Sequence, residues 1–125
     1  MMNAQGYQQY KTDAVGTMTQ GELLVLLYDE LVKRAARAGL FLQKEDYESF
    51  EACIDRCLDI VRYLDDTLDT QYPISRELHR MYDFFGYDLN RIKAGRNGAE
   101  LKRLCPMLTE LRDSFKTAEM STSER

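Results

Sequence analysis

The sequence predicts an all-α fold, an antiparallel up-down four-helix bundle with an N-terminal extension packing on it. Three observations carry this. Four segments repeat apolar residues at i, i+3/i+4 and i+7, the spacing of one helical face. Only two prolines and seven glycines interrupt 125 residues. The short alternating runs of half-buried strands are missing.

The first helix starts at Thr19, whose hydroxyl can cap the amide of Glu22 in a T-x-x-E capping box. It should run to about Leu42. Within it, Leu23 to Leu27 are apolar without a break. At about 100° per residue they cover most of the circumference, so a second face needs a cover. Asp46 is the expected cap of the second helix. Its stripe is Phe50, Cys53, Ile54, Cys57, Val61, Leu64 and Leu68, ending near Asp69. The third helix should begin at Pro73 or Ser75 and carry Leu78, Met81, Tyr82, Phe85, Leu89 and Ile92 inward. Gly95 is its expected left-handed terminator. Asn97 opens the fourth helix, with Glu100 completing an N-x-x-E box. Leu101, Leu104, Cys105, Leu108, Leu111 and Phe115 form its stripe. Pro106 falls inside that pattern and should bend the helix near Lys102 or Arg103. The expected organisation is a tail or lid over 1–18, a bundle over 19–118 and a disordered tail over 119–125.

Some apolar residues do not fit one core. On the third helix Phe84 lies roughly 120° off the stripe and Tyr87 almost opposite it. Tyr63 and Met107 are displaced likewise, and Leu26 sits on the broad first helix. Single surface aromatics are ordinary. As a set, they point to an external groove for an apolar partner. Tyr7, Tyr10 and Val15 make the leading segment apolar enough to cover part of it.

Other functions find little support. The formal charge is −4, so the summed field does not favour nucleic acid. No apolar run approaches the roughly 18–20 residues of a membrane span, and the start lacks a signal-peptide pattern. Three cysteines, with Cys53 and Cys57 on one face, read as buried thiols in a reducing cytosol. A zinc set from Cys53, Cys57, Cys105 and His79 lacks the usual tight Cys-x-x-Cys pairs. His79 is the single histidine. Phosphotransfer through it would suit a four-helix domain, but the following run, "RMYDFFG", lacks the Lys and Gly common after such a histidine. No catalytic constellation, cofactor motif or metal site emerges.

The order of motifs resembles the flagellin-specific export chaperones, the FliS family, over almost the whole chain. The residues that carry the likeness are Tyr7 and Tyr10, then Thr17, Thr19, Glu22, Leu23, Leu27, Tyr28 and Asp29. The "FLQKED" corner follows, then Leu78, Met81, Tyr82, Asp83 and Phe84, and at the end Leu111, Arg112, Asp113, Phe115 and Lys116. Gln20 and Glu30 depart from the common Pro and Gly. Tyr87 and Asp88 stand where paired arginines are common, and Phe115 where Trp is.

The resemblance implies a non-enzymatic cytoplasmic chaperone. It would bind the disordered C-terminal segment of flagellin in external apolar clefts, block premature polymerisation and aid delivery to an export-gate component. Tyr7, Tyr10 and Val15 would form the lid, and Tyr28 and Asp29 would anchor the first helix. The groove candidates are Leu58, Val61, Leu64, Tyr82, Phe85, Leu104, Leu108 and Leu111. The alternative is a homo-oligomer, a homodimer for instance, that buries its extra apolar faces against its own copies.

Overall fold

The computed structural model describes residues 18–123. Tyr7, Tyr10 and Val15 lie outside the described residues. Four helices follow one another, α1 (Gln20–Gln43), α2 (Tyr47–Asp66), α3 (Ile74–Gly95) and α4 (Gly98–Ser123). They form the expected four-helix bundle. Each packs against its chain neighbours, and α4 closes the ring on α1. The packing of α3 on α4 is the thinnest of the four seams.

Capping fixes most helix starts. Thr19 Oγ1 accepts the Glu22 N–H at 3.1 Å, and its hydroxyl donates to the Glu22 carboxylate at 3.2 Å. Asp46 accepts from the Ser49 N–H at 3.2 Å. Asn97 accepts from the Glu100 N–H at 3.0 Å. Each bond satisfies a donor that the first helical turn leaves unpaired.

Three boundaries differ from the sequence reading. α2 stops at Asp66, with Thr67 as its C-cap. There the Thr67 hydroxyl donates to the Tyr63 carbonyl at 2.8 Å. Leu68 keeps the helical spacing but sits in the loop. α3 ends through Arg96 rather than Gly95. Arg96 takes the left-handed conformation at φ 48°, and the Asn97 N–H closes onto the Ile92 carbonyl at 3.0 Å. Left-handed backbone is costly for a side-chain-bearing residue. The Arg96 guanidinium stacks over the Tyr47 ring at 3.7 Å, a cation–π contact that offsets part of that cost. Finally, α4 runs past residue 118 to Ser123.

The core follows the stripes. Leu31 and Ala35 of α1, Phe50 and Ile54 of α2, Phe85 and Leu89 of α3, and Leu108 of α4 are fully buried. Cys53 and Cys57 are buried and Cys105 half-buried, all as free thiols. Burial first, then the neighbouring cysteines, pushes the Cys57 thiol up to about 12. It is therefore an inert packing group.

Candidate functional site

The outward residues singled out in the sequence are outward in the structure. Leu26, Tyr63, Phe84, Tyr87 and Met107 are all exposed, Phe84 and Met107 each at 42%. Their arrangement depends on which flank of each helix meets which neighbour.

Long-range polar contacts settle that. On one flank of α3, His79 Nδ1 lies 2.6 Å from Asp65 of α2, and Lys93 Nζ lies 2.7 Å from Asp55 of α2. On the opposite flank, Asp88 bears on Glu100 of α4. Met81, Phe84 and Ile74 lie within about 40° of Asp88 around the helix. α4 repeats the pattern. Arg112 reaches Asp29 of α1 at 3.5 Å. Met107 and Leu111 lie within about 20° of Glu100, on the side that faces α3.

By these angles the α3–α4 seam carries an apolar border on each helix, which the exposed Glu77, about 20° from Asp88, interrupts on α3. Ile74, Met81 and Phe84 make one border, and Phe115, Leu111 and Met107 the other. At the end of the bundle where α1 and α3 begin lies a cleft of about 340 Å³. Leu24, Leu68, Tyr72, Ile74, Leu78 and Phe115 line the cleft, with Tyr82 and Leu64 beneath them, and Gln20, Thr67, Asp69 and Ser75 complete its wall. Tyr72 and Ile74 stand exposed at its rim. A larger hollow of about 930 Å³ lies against α4, but Lys102, Glu110 and Asp113 are in its wall. Such a charged wall suits an apolar occupant less well.

The floor of the cleft is an aromatic knot. The Tyr28 and Tyr82 hydroxyls hydrogen-bond to each other, and Phe115 stacks on Tyr28 at 4.9 Å between centroids. Burial raises the pKa of both phenols, and the Tyr82 hydroxyl raises that of Tyr28 further. Both are neutral at any physiological pH, so the pair holds α1 to α3 without charge.

The groove candidates from the sequence divide in two. Val61, Leu64, Tyr82, Phe85, Leu104 and Leu108 are at most 4% exposed and fill the interior. The reason is geometric, since the centre of each stripe meets the other three helices and only its edges reach solvent. Tyr28 is fully buried with them, while Asp29 is half-buried in its ion pair with Arg112. Leu58 and Leu111 are half-buried at stripe edges, Leu111 on the α4 border of the seam. Sequence reasoning did not assign Met81, Tyr72 and Ile74 to a partner surface. Their signal was an edge position in a stripe for Met81 and apolar side chains beside Pro73 for the others.

His79 is exposed and bridges two carboxylates, with Nε2 3.4 Å from Asp83. One atom from each of Asp65, His79 and Asp83 lies within 4.8 Å of the others. Both ring nitrogens already face carboxylates, so the group acts as an ion-pair clip between α2 and α3. Its hydrogen bond to Asp65, and the negative charge of Asp65 and Asp83, raise the imidazole pKa. A folded-state pKa above the unfolded one, about 6.5, gives stability that is complete below that value. It is lost as pH rises through the folded value. The thermal midpoint of the wild type, minus that of His79→Gln, should therefore fall as pH rises through neutrality. Melts at a series of pH values check this. A difference that stays level, or grows with pH, contradicts it.

Comparison with known proteins adds a second line. A family model described as "Flagellar protein FliS" matches residues 2–122. The chain is 26% identical over 115 residues to the flagellar secretion chaperone FliS of Bacillus subtilis (strain 168). That alignment covers 92% of this chain and 86% of the relative. The fold is similar to a solved structure titled "Crystal structure of flagellar chaperone from bacteria". The TM-score is 0.77 at 15% identity, over 94% of this chain and 97% of the other. No described helix is long and apolar enough to cross a membrane.

Proposed function

The chain belongs to the FliS family of flagellar secretion chaperones, which are not enzymes, and on that premise we propose that the apolar borders of the α3–α4 seam form a trough that, with the end cleft, receives the C-terminal segment of flagellin. The client is a disordered chain in the cytoplasm. It folds onto the trough as amphipathic turns whose apolar residues enter between Phe84, Met107, Leu111 and Ile74. Ordering the client costs conformational entropy, and burial of apolar surface on both partners offsets it. A client held in this way cannot pair with other flagellin subunits, so polymerisation is blocked until it is handed to an export-gate component.

One observation carries this reading, the largely apolar end cleft, with Tyr72 and Ile74 exposed at its rim and Phe84 and Met107 exposed further along α3 and α4. The stretch of α3 from Ile74 to Asp88, about four helical turns, is long enough for an extended or helical peptide. The exposed Met and Phe walls suit one that adapts on binding.

The leading segment, with Tyr7, Tyr10 and Val15, acts as a lid that competes with the client. Deleting residues 1–16 should leave cooperative unfolding intact and strengthen, or at least preserve, binding of a flagellin C-terminal peptide. Thermal melting and calorimetric titration check both halves. Loss of cooperative unfolding, or of binding, overturns the lid. Sedimentation of the free chain tests the homodimer in the same samples. A stable dimer without peptide that also excludes the peptide would favour self-burial of the trough.

A further inference from the structure

Asp88 is 1% exposed, and its Oδ2 has no hydrogen-bond partner among the described residues. A buried, unpaired carboxylate oxygen is costly. The neighbouring groups explain the gap. Glu100 of α4 lies beside it, and Arg103 fixes the Glu100 carboxylate at 2.8 Å. Arg91, on the same helix as Asp88, stays 3.9 Å from the other oxygen, too far for a hydrogen bond. Two ionised carboxylates offer only acceptors to each other.

We propose that Asp88 and Glu100 share one proton, so that the end of the α3–α4 seam is a pH-sensitive latch. With the proton present, the Asp88 carboxylic O–H donates to the Glu100 carboxylate, and the pair is a charge-assisted hydrogen bond. When the proton leaves to solvent, two negative charges face each other in the thinnest seam of the bundle and push α3 from α4. The ionisable groups that bear on Asp88 are Glu100 and Arg103 from α4 and Arg91 from α3. Burial first, and then Glu100, raise the Asp88 pKa, while Arg91 and Arg103 oppose them. The folded chain thus holds this proton to a higher pH than the unfolded chain. Stability from the latch is complete below the ordinary aspartate range and declines as pH rises through the folded value. The latch is a property of the free bundle and stands whether or not the seam takes a client.

The test is a carbon-13 titration of the Asp88 carboxyl in the full-length protein, with Glu100→Gln as the variant. The wild-type midpoint should lie above that of Asp88 in the urea-unfolded chain. Glu100→Gln should lower it, because a glutamine amide donates to the ionised Asp88. A wild-type midpoint at or below the unfolded value, or one that Glu100→Gln leaves in place, overturns the proposal. A second measurement uses Asp88→Asn in a His79→Gln background, which removes the imidazole titration. Its amide replaces the shared proton permanently. The decline of the thermal midpoint with rising pH, seen with Asp88 present, should vanish in this variant. An undiminished decline also overturns the latch.

Discussion

Phe84→Glu should weaken a flagellin C-terminal peptide by more than tenfold and move the thermal midpoint by only a few degrees. Phe84 is 42% exposed and sits on the lip of the trough. A client that covers it must strip water from whatever stands there. An unpaired carboxylate resists this by more than the about 1.4 kcal/mol that a factor of ten represents. The cost to the free bundle is small. The Phe84 ring makes one tilted contact with Phe85, at 6.0 Å between centroids, and such a pair contributes about 0.5–1.5 kcal/mol. Leu40→Glu is the control. Leu40 is more exposed, at 57%, but it stands on α1, away from both walls of the trough. Calorimetric titration of both variants separates a site from general surface greasiness. Equal losses in the two would remove Phe84 from the site.

Tyr82→Asp should instead unfold much of the protein. From the sequence, Tyr82 is a groove residue whose replacement by a charge weakens the client. Its burial turns this into a stability effect. Tyr82 is 3% exposed, and its hydroxyl pairs with that of Tyr28 beneath the cleft. Aspartate there leaves a cavity, an orphaned Tyr28 hydroxyl and a carboxyl with no cation beside it. The large-to-small term alone is about 3–5 kcal/mol. That is a large fraction of the 5–15 kcal/mol typical of a whole domain. The midpoint should fall by on the order of 15 °C, or the cooperative transition should disappear. Tyr82→Phe keeps the ring and loses only the hydroxyl pair, at about 1–2 kcal/mol. Circular dichroism melts of the two variants check the order. If Tyr82→Asp melted as the wild type does, the buried hydroxyl pair would not hold the cleft floor together.

The helices were legible because their signals are local. Thr19, Asp46 and Asn97 bond to amides three residues ahead, so a cap is visible in four letters of sequence. The end of α2 was not legible. Leu68 continues the period of the stripe, yet the chain has already turned at Thr67, and Leu68 reaches the cleft from the loop. The left-handed residue after α3 fell one place beyond Gly95 because the bond that ends the helix forms at Asn97.

The site was half legible for a similar reason. Helical angles alone put Phe84 and Met107 outside the core. They do not say which helix each one borders. That follows from which flank meets which helix, fixed by the Asp65–His79, Asp55–Lys93 and Asp29–Arg112 pairs between distant parts of the chain. Without them, the centres of the stripes looked like the groove, and Val61, Phe85 and Leu108 were placed in it. Asp88 stood out in the sequence only as a departure from the paired arginines of related chains. Its burial against Glu100 depends on the α3–α4 packing, which no local pattern encodes.

The most direct test maps where the client sits. Backbone hydrogen–deuterium exchange of the full-length chain, with and without a flagellin C-terminal peptide, reads every helix at once. Protection concentrated on α4 and on the part of α3 between Ile74 and Asp88, with the outer face of α1 unchanged, is the result expected. Protection confined to α1 and α2, with α3 and α4 exchanging as in the free chain, would contradict the trough as the place where the client is held.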